Sequence, residues 1–384
     1  MTDGLVVTRQ GPARSIAVVG SRQTDDVIDW LGVRVAAAKA TVSAYAGQRC
    51  TEYFTAPETA VLREVLPEFV AEGKYVRSTF AYLGWLCGQA ESAAAAEAVA
   101  GLELLHAFAL IQDDVMDDSA TRRGRPTVHV RLANWHTARA ATSDRRVSDR
   151  FGRSAAVLLG DLCLIWAERM LREADLPAAS LDRAWPVYDL MRSELAVGQF
   201  SDLLNDLTQE PELATVLDIA RRKSGNYTVR RPLELGAALA GCDRRTTRAL
   251  QRYGSMVGEA YQLRDDHLGV FGEPRMTGKP LGDDLREGKA TTLLVVARDL
   301  ASPGQRAEMA DLARRTPAPE DPATDEWVRR WQELIVATGA DARIEQLIAE
   351  RVDAAIELLS RAELPTRPYD ALVLLAGRCT NRDH

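Results

Sequence analysis

The chain has 384 residues, 46% of them hydrophobic, with a formal net charge of −7. That length holds one large domain or two ordinary ones, with enough apolar material for a sizeable core. The acidic balance, the 6% aromatic content and the lack of a basic stripe interleaved with aromatics argue against nucleic acid as the main partner.

Residues 1–25 show little periodicity and are expected to form a mobile tail, with one domain from 26 to 384. Apolar spacing then predicts helices at 26–49, 58–71, 75–89 and 93–118, followed by a polar, Arg-rich loop at 119–151. Helical patterning resumes at 152–173, 180–206, 212–223, 232–241 and 245–271, and a Gly-, Pro- and Lys-containing loop is expected at 272–289. Further helices are predicted at 290–301, 304–315, 323–338 and 341–361, with a Pro-rich loop at 316–322. β-Branched runs bounded by turn residues are scarce, and no repeat or long linker forces a second domain. The expected class is all-α, a single many-helix bundle around a central apolar cavity.

The most apolar stretch, Ala98 to Ile111, is interrupted by Glu103 and His106. A membrane span needs roughly 20 apolar residues, so a buried helix is expected instead. It is apolar almost all round, and other helices must therefore surround it. The longest early apolar run, Ile16 to Gly20, is too short for a secretory signal, and a cytoplasmic protein without a transmembrane segment is the expectation. The five cysteines are widely spaced and form no C-x-x-C pair, which predicts reduced thiols rather than a disulfide framework or a zinc site.

At the C-terminal end of that buried helix lies Leu110-Ile-Gln-Asp-Asp-Val-Met-Asp-Asp118. Asp113 and Asp117 are four apart and share one helical face. Four aspartates there repel each other and oppose the helix dipole, so the cluster needs cations. Oxygen-rich sites of this kind suit Mg²⁺, which keeps waters and is completed by substrate phosphates. A solvated acidic helix end would look similar, but Arg122 and Arg123 follow at once, and carboxylates beside guanidinium forks are what a diphosphate requires.

A second cluster sits in Gly258-Glu-Ala-Tyr-Gln-Leu-Arg-Asp-Asp-His-Leu-Gly269, where Gln262 and Asp266 are four apart, as are Tyr261 and Asp265. The following loop offers Lys279 and Lys289 as cationic donors. Two aspartate pairs far apart in sequence, each followed by cationic residues, suggest facing metal sites.

These segments resemble the trans-isoprenyl diphosphate synthase family, which contains the farnesyl and geranylgeranyl diphosphate synthases. Asp113-Asp114-Val115-Met116-Asp117 with Arg122-Arg123-Gly124 matches the family's first motif, D-D-x-x-D followed by R-R-G. Gly258 through Asp266 matches its second motif, G-x-x-[FY]-Q-x-x-D-D. Gly73-Lys74-Tyr75-Val76-Arg77 is similar to the G-K-x-x-R segment, and His106 stands seven residues before Asp113 as the family's histidine does. Lys223-Ser224 stands for the family's K-T pair, and Gly198-Gln-Phe-Ser-Asp202 is similar to its G-Q-x-x-D helix. A lone core histidine is more often structural, and Glu103-x-x-His106 also mimics half of a di-iron motif, but no second E-x-x-H exists.

The resemblance implies the isoprenoid synthase fold and a homodimeric prenyltransferase that condenses isopentenyl diphosphate with an allylic diphosphate. It implies three Mg²⁺ ions held by Asp113, Asp117 and Asp265. Arg122, Lys223, Ser224, Gln262, Lys279 and Lys289 are implied as allylic diphosphate ligands, with Asp113, Asp117, Lys223, Ser224 and Gln262 as the catalytic set. Lys74, Arg77, His106 and Arg123 are implied for isopentenyl diphosphate. Phe108 and the small Ala109, five and four residues before Asp113, resemble the chain-length positions of geranylgeranyl (C20) synthases. Farnesyl and geranylfarnesyl synthesis, a class I terpene cyclase and a non-catalytic subunit remain the alternatives. Three positions depart from the family: Gly269 replaces the last aspartate of a full second D-D-x-x-D, His267 replaces an apolar residue, and Ser78 replaces a proline, a change expected to affect only the local turn.

Overall fold

The computed structural model describes residues 21–139, 144–205, 211–272, 282–318, 321 and 323–380. Residues 1–20 of the expected tail and Lys279 lie outside the described residues, while 21–25 already belong to the first helix. The fold is all-α as expected. Among the described residues the only strands are β1 (Thr121–Arg122) and β2 (Arg125–Pro126), a two-stranded hairpin.

The first helices are α1 (Ser21–Tyr53), α2 (Leu62–Ala71), α3 (Val76–Leu86) and α4 (Ala93–Met116). After the hairpin come α5 (Val128–Arg139), α6 (Arg145–Arg172), α7 (Ala178–Asn205) and α8 (Leu213–Ala220). A π-helix, Arg221–Arg230, runs directly into α9 (Arg231–Ala240), and α10 follows (Arg244–Phe271). The chain closes with α11 (Asp283–Arg286), α12 (Thr292–Leu300), α13 (Pro303–Arg314), α14 (Thr324–Thr338), α15 (Ala340–Ser360) and α16 (Thr366–Thr380).

Helix α4 starts where the Ser92 hydroxyl accepts from the Ala95 amide, a cap worth ~1 kcal/mol. It is long and apolar enough to cross a membrane by composition, with a mean hydropathy of 1.6, yet 61% of that window is buried inside the protein. Leu104, Leu105 and Ile111 are fully buried, and each such side chain contributes roughly 1.5–3 kcal/mol. Helices α1, α2, α3, α5 and α6 pack around it. The α3–α9 contact is tighter still. A Cβ on Gly84 would fall 2.3 Å from the Leu233 carbonyl oxygen, and one on Gly236 only 1.7 Å from that of Ala81. Only glycine lets these two backbones touch.

Two sequence expectations need correction. Helix α5 and the first two turns of α6 occupy the polar stretch 119–151 that was expected to be a loop, and α16 lies beyond the last predicted helix. In α5 the apolar face is narrow: Val128, Leu132 and Ala133 are buried against α6, with His129 among them. Its periodicity is too weak to read from sequence, and the helix exists because α6 covers it.

The core has two parts. The main cluster includes Leu104, Leu105, Trp166, Tyr188 and Leu233, and a smaller one gathers Leu293, Trp327, Trp331 and Ile344. Helix α10 belongs to both, through Leu250, Tyr253 and Val257 in the first and Ala260, Leu263 and Val270 in the second. The second aspartate motif sits in this latter half of α10.

Candidate active site

Where α4 ends, a cavity of about 360 Å³ opens between α4, α7, the π-helix and α10. Its wall carries Asp113 from the first motif and Asp265 from the second, so the two clusters meet across one space. Arg77, His106, Arg122, Arg123, Lys223, Ser224, Gln262 and Lys289 line the same cavity. These are eight of the cationic and polar groups expected from sequence. Asp117 caps α4 and joins the site through Lys289, whose Nζ lies 2.7 Å from Asp117 Oδ2. Lys74 is exposed on the turn next to Gly73, beside which the Arg123 guanidinium lies.

Geometry sorts the carboxylates. Asp114 is buried and accepts from Arg122 Nε at 2.8 Å, so it orients the guanidinium. Burial raises the Asp114 carboxyl, and the Arg122 contact partly opposes that. Asp265 is exposed toward the cavity, whereas Asp266 is buried and accepts from Gln262 Nε2 at 2.7 Å and from the Thr292 amide at 2.9 Å. Burial, reinforced by Asp284 and Asp265, pushes Asp266 up to about 7 against those two donors. Asp266 therefore pins Gln262 and α12 from a buried place on the cavity wall, and Asp265 is the exposed carboxylate of the pair.

Lysines sit where charge is needed. Lys223 Nζ lies 2.6 Å from Asp202 Oδ2 and 3.4 Å from Asp113 Oδ1. Burial opposes its charge, but the two carboxylates outweigh burial and raise its pKa. The close approach is built by backbone: a Cβ on Gly198 would lie 2.6 Å from the Lys223 amide nitrogen. The π-helix adds a residue per turn, a distortion frequent at functional sites, and it brings Lys223, Ser224, Tyr227 and Thr228 onto the wall together. Lys289 is likewise held charged by Asp117 and Glu287 in spite of burial.

A second, cationic corner lies beside the first. Arg77 Nη2 donates to Thr228 Oγ1 at 2.9 Å, and its guanidinium stands 4.4 Å from the Tyr227 ring centroid. Burial, followed by Arg77, Arg122 and Arg123, drives His106 well below its ordinary range, so the ring is neutral. Its buried Nδ1 has no hydrogen-bond partner in the protein. The hairpin returns Arg123 to this corner through two left-handed residues, Arg123 at φ 53° and Gly124 at φ 71°. Three arginines around a neutral imidazole suit an anion with several oxygens.

The departures from the family pattern have visible partners. Ser78 donates from both its amide and its hydroxyl to buried Glu103, at 2.9 and 2.7 Å. The expectation that the change affects only a turn is therefore too narrow, since a proline has no amide to donate. His267 does not line the cavity; it stacks on Phe271 and its Nε2 lies 2.8 Å from Asp341. Beside it Arg264 pairs with Glu345 and donates to the Thr380 carbonyl, tying α10 to α15 and α16. Sequence reasoning assigned no role to Asp202, Gln199, Tyr227, Asp266 or Asp284, all of which line the cavity. For Asp202 and Gln199 the signal was the Gly198–Asp202 segment.

Ala109 lines the cavity and Phe108 does not; Phe108 is half-buried against the main core. Among the described residues no three His, Cys, Asp or Glu side chains converge as a ready cage for an ion. Cavity-facing Asp113 and Asp265, with the unpartnered buried acceptor Gln262 Oε1, fit instead an ion shared with phosphate oxygens and water.

An all-α fold with two carboxylate clusters facing each other over a cation-lined cavity defines a helical, diphosphate-handling prenyltransferase. The polyprenyl synthetase family model matches residues 59–327. The chain is 34% identical over 295 residues to a geranylgeranyl diphosphate synthase of Mycobacterium tuberculosis, covering 76% of each. It is 31% identical to a geranylfarnesyl diphosphate synthase of Aeropyrum pernix, covering 76% of this chain and 84% of that one. A solved geranylgeranyl pyrophosphate synthase from Corynebacterium glutamicum, complexed with isoprenyl diphosphate and magnesium, superposes with a TM-score of 0.80 at 35% identity. That likeness covers 94% of this chain and 98% of the other. The chain belongs to the polyprenyl synthetase family.

Proposed function

We propose that this prenyltransferase condenses isopentenyl diphosphate with an allylic diphosphate to give an all-trans prenyl diphosphate, geranylgeranyl diphosphate (C20). One observation carries the reading: Asp113, Asp265, Lys223 and Lys289 share a cavity with the separate Arg77–His106–Arg123 corner. A cyclase has no use for a second diphosphate pocket, and a non-catalytic subunit has no need of intact facing carboxylates.

In this proposal Asp113, Asp117 and Asp265 would hold three Mg²⁺ ions. Bound Mg²⁺ supplies positive charge that makes the diphosphate a better leaving group. Arg122, Lys223, Gln262, Lys279 and Lys289 contact its oxygens, and the Lys223 ammonium, already held charged by Asp113 and Asp202, is aimed at charge that develops as the C–O bond breaks. The Ser224 hydroxyl and the nearby π-helix carbonyls face the resulting allylic cation with oxygen dipoles. Lys74, Arg77, Arg123 and neutral His106, which donates a hydrogen bond, fix isopentenyl diphosphate so that its double bond meets that cation. The proton then leaves to the departing diphosphate, because the nearby carboxylates are committed to cations. Ala109 on the wall and Phe108 beneath it set the depth available to the growing chain.

Two further readings accompany this one. Helix α10 threads both core clusters, which supports residues 26–384 as one catalytic domain. The chain is proposed to act as a homodimer: Phe151, Leu158 and Ile165 stand exposed at helical spacing on α6, as do Leu190, Val197 and Phe200 on α7. Helices α6 and α7 are joined by an ion pair between Arg192 and Glu168, 2.8 Å apart.

Purified protein with labelled isopentenyl diphosphate, Mg²⁺ and dimethylallyl, geranyl or farnesyl diphosphate tests the assignment. A linear C20 diphosphate, abolished by chelator, is expected. A cyclic hydrocarbon or the absence of any elongation rejects it.

A further inference from the structure

Lys223 and Ser224 stand on a π-helix, a rare conformation that persists only where neighbouring contacts hold it. On one side those contacts come from a single face of α7. Glu194, Gly198 and Asp202 are four residues apart and stand in line along that helix. Asp202 takes the Lys223 ammonium at 2.6 Å, and Gly198 lets the two backbones meet. Glu194, at the other end of the line, accepts from Arg231 Nε at 2.8 Å and Nη2 at 2.7 Å, and from Asn226 Nδ2 at 3.4 Å. On its other side the π-helix rests on α10, where a Cβ on Gly258 would fall 2.4 Å from the Gly225 carbonyl oxygen.

The Glu194 end of the line is a closed ionic network. Arg231 is buried and also pairs with buried Glu234, which accepts from Arg230 Nε at 2.9 Å, so two carboxylates balance two guanidiniums. Burial opposes the charge on Glu194, but Arg231 and Arg230 outweigh it and hold the carboxyl below its ordinary range. Asn226 is buried in the π-helix with its Oδ1 unpartnered, while its amide nitrogen is held by Glu194. Glu194, Asn226 and Arg231 all stand behind the cavity wall rather than on it.

We infer that Glu194 is a positioning residue for prenyl transfer: by gripping Asn226 and Arg231 at the end of the π-helix, it fixes the register in which Lys223 and Ser224 face the cavity. This rests on the proposed role of Lys223 at the diphosphate and deepens it. Without that grip the segment is free to tighten to α-helical bonding. Losing one residue from the turn rotates what precedes it by about 100°, at 3.6 residues per turn, and carries Lys223 away from Asp113 and Asp202.

The test separates positioning from folding. Glu194→Gln keeps the shape of the side chain and removes its charge. It is made alone and in a Lys223→Ala background, and kcat, melting temperature and hydrogen exchange of the 221–230 segment are measured. Glu194→Gln alone is expected to lower kcat about ten- to a hundredfold, the scale of a misplacement near 1 Å, and to speed exchange at 221–230. In the Lys223→Ala background the same change is expected to cost less than about threefold, because the group it positions is gone. Asn226→Ala, which leaves the Arg231–Glu194 pair intact, is expected to show a smaller loss of the same kind and keeps the test open should Glu194→Gln not fold. Equal losses in the two backgrounds, or wild-type kcat and exchange in a folded Glu194→Gln enzyme, overturn the inference and leave the proposed function standing. A Lys223→Ala enzyme with wild-type kcat overturns the proposed role of Lys223 and the inference with it.

Discussion

Removing the Asp202 carboxylate probes how Lys223 is held. The Lys223 ammonium lies between Asp202 at 2.6 Å and Asp113 at 3.4 Å, with these side chains 22–25% exposed. Unit charges ~4 Å apart interact by about 4 kcal/mol at an effective dielectric near 20. Desolvation and the remaining solvent contact reduce the net worth of such a pair to about 1–2 kcal/mol. In Asp202→Asn the lysine loses its closer charge and moves onto Asp113, occupying the carboxylate proposed for Mg²⁺. At about 1.4 kcal/mol per tenfold, the Mg²⁺ concentration for half-maximal prenyl transfer rises roughly five- to thirtyfold. Melting temperature changes little, because the asparagine keeps shape and one hydrogen bond. Steady-state assays over a Mg²⁺ series, with circular dichroism melts in parallel, measure both. Wild-type Mg²⁺ dependence in a normally folded Asp202→Asn enzyme would refute the claim that Asp202 keeps Lys223 off Asp113.

The α3–α9 contact predicts that Gly236→Ala costs about 3 kcal/mol or more, since the added methyl meets the Ala81 carbonyl oxygen and backbone must move; a melt indistinguishable from wild type would contradict this. Burial raises the Glu103 carboxyl in the folded chain, so the native state keeps a proton that the unfolded chain releases at ordinary carboxylate pH. That contribution is full below the unfolded pKa and is lost as pH rises through the folded one, so Glu103→Gln should gain stability over wild type on going from about pH 5 to about pH 8. Parallel melting curves across that range would dismiss the idea. Phe108→Ala should lengthen the product, read by mass spectrometry, and an unchanged product would locate the chain-length limit elsewhere. Leu158→Lys with Ile165→Lys should halve the mass seen by light scattering, and wild-type mass in the variant would remove α6 from the proposed interface.

How much of this was legible beforehand depends on the residue. Asp113, Asp265, Arg122, Arg123, Lys223 and Gln262 stood out because each lies in a short motif whose spacing survives in one dimension, and one cavity gathers all six. Ser78, in contrast, read as a minor turn substitution; its bonds to Glu103 cross 25 positions of sequence and leave no local trace. Helix α5 was invisible for a related reason, since its narrow apolar face acquires meaning only against α6.

By itself the sequence determined the helical class, the apolar helix α4 and two acid clusters with their cationic neighbours, because helix periodicity and charge spacing act over a turn or two. Only the tertiary structure showed what the other carboxylate of each pair does. Buried Asp266 holds Gln262, and Arg122 claims Asp114. It also decided that Asp202 holds Lys223 and that Glu194 holds Arg231. Those outcomes depend on backbones from distant segments approaching within a few ångströms, and no spacing along a single strand of sequence encodes that approach.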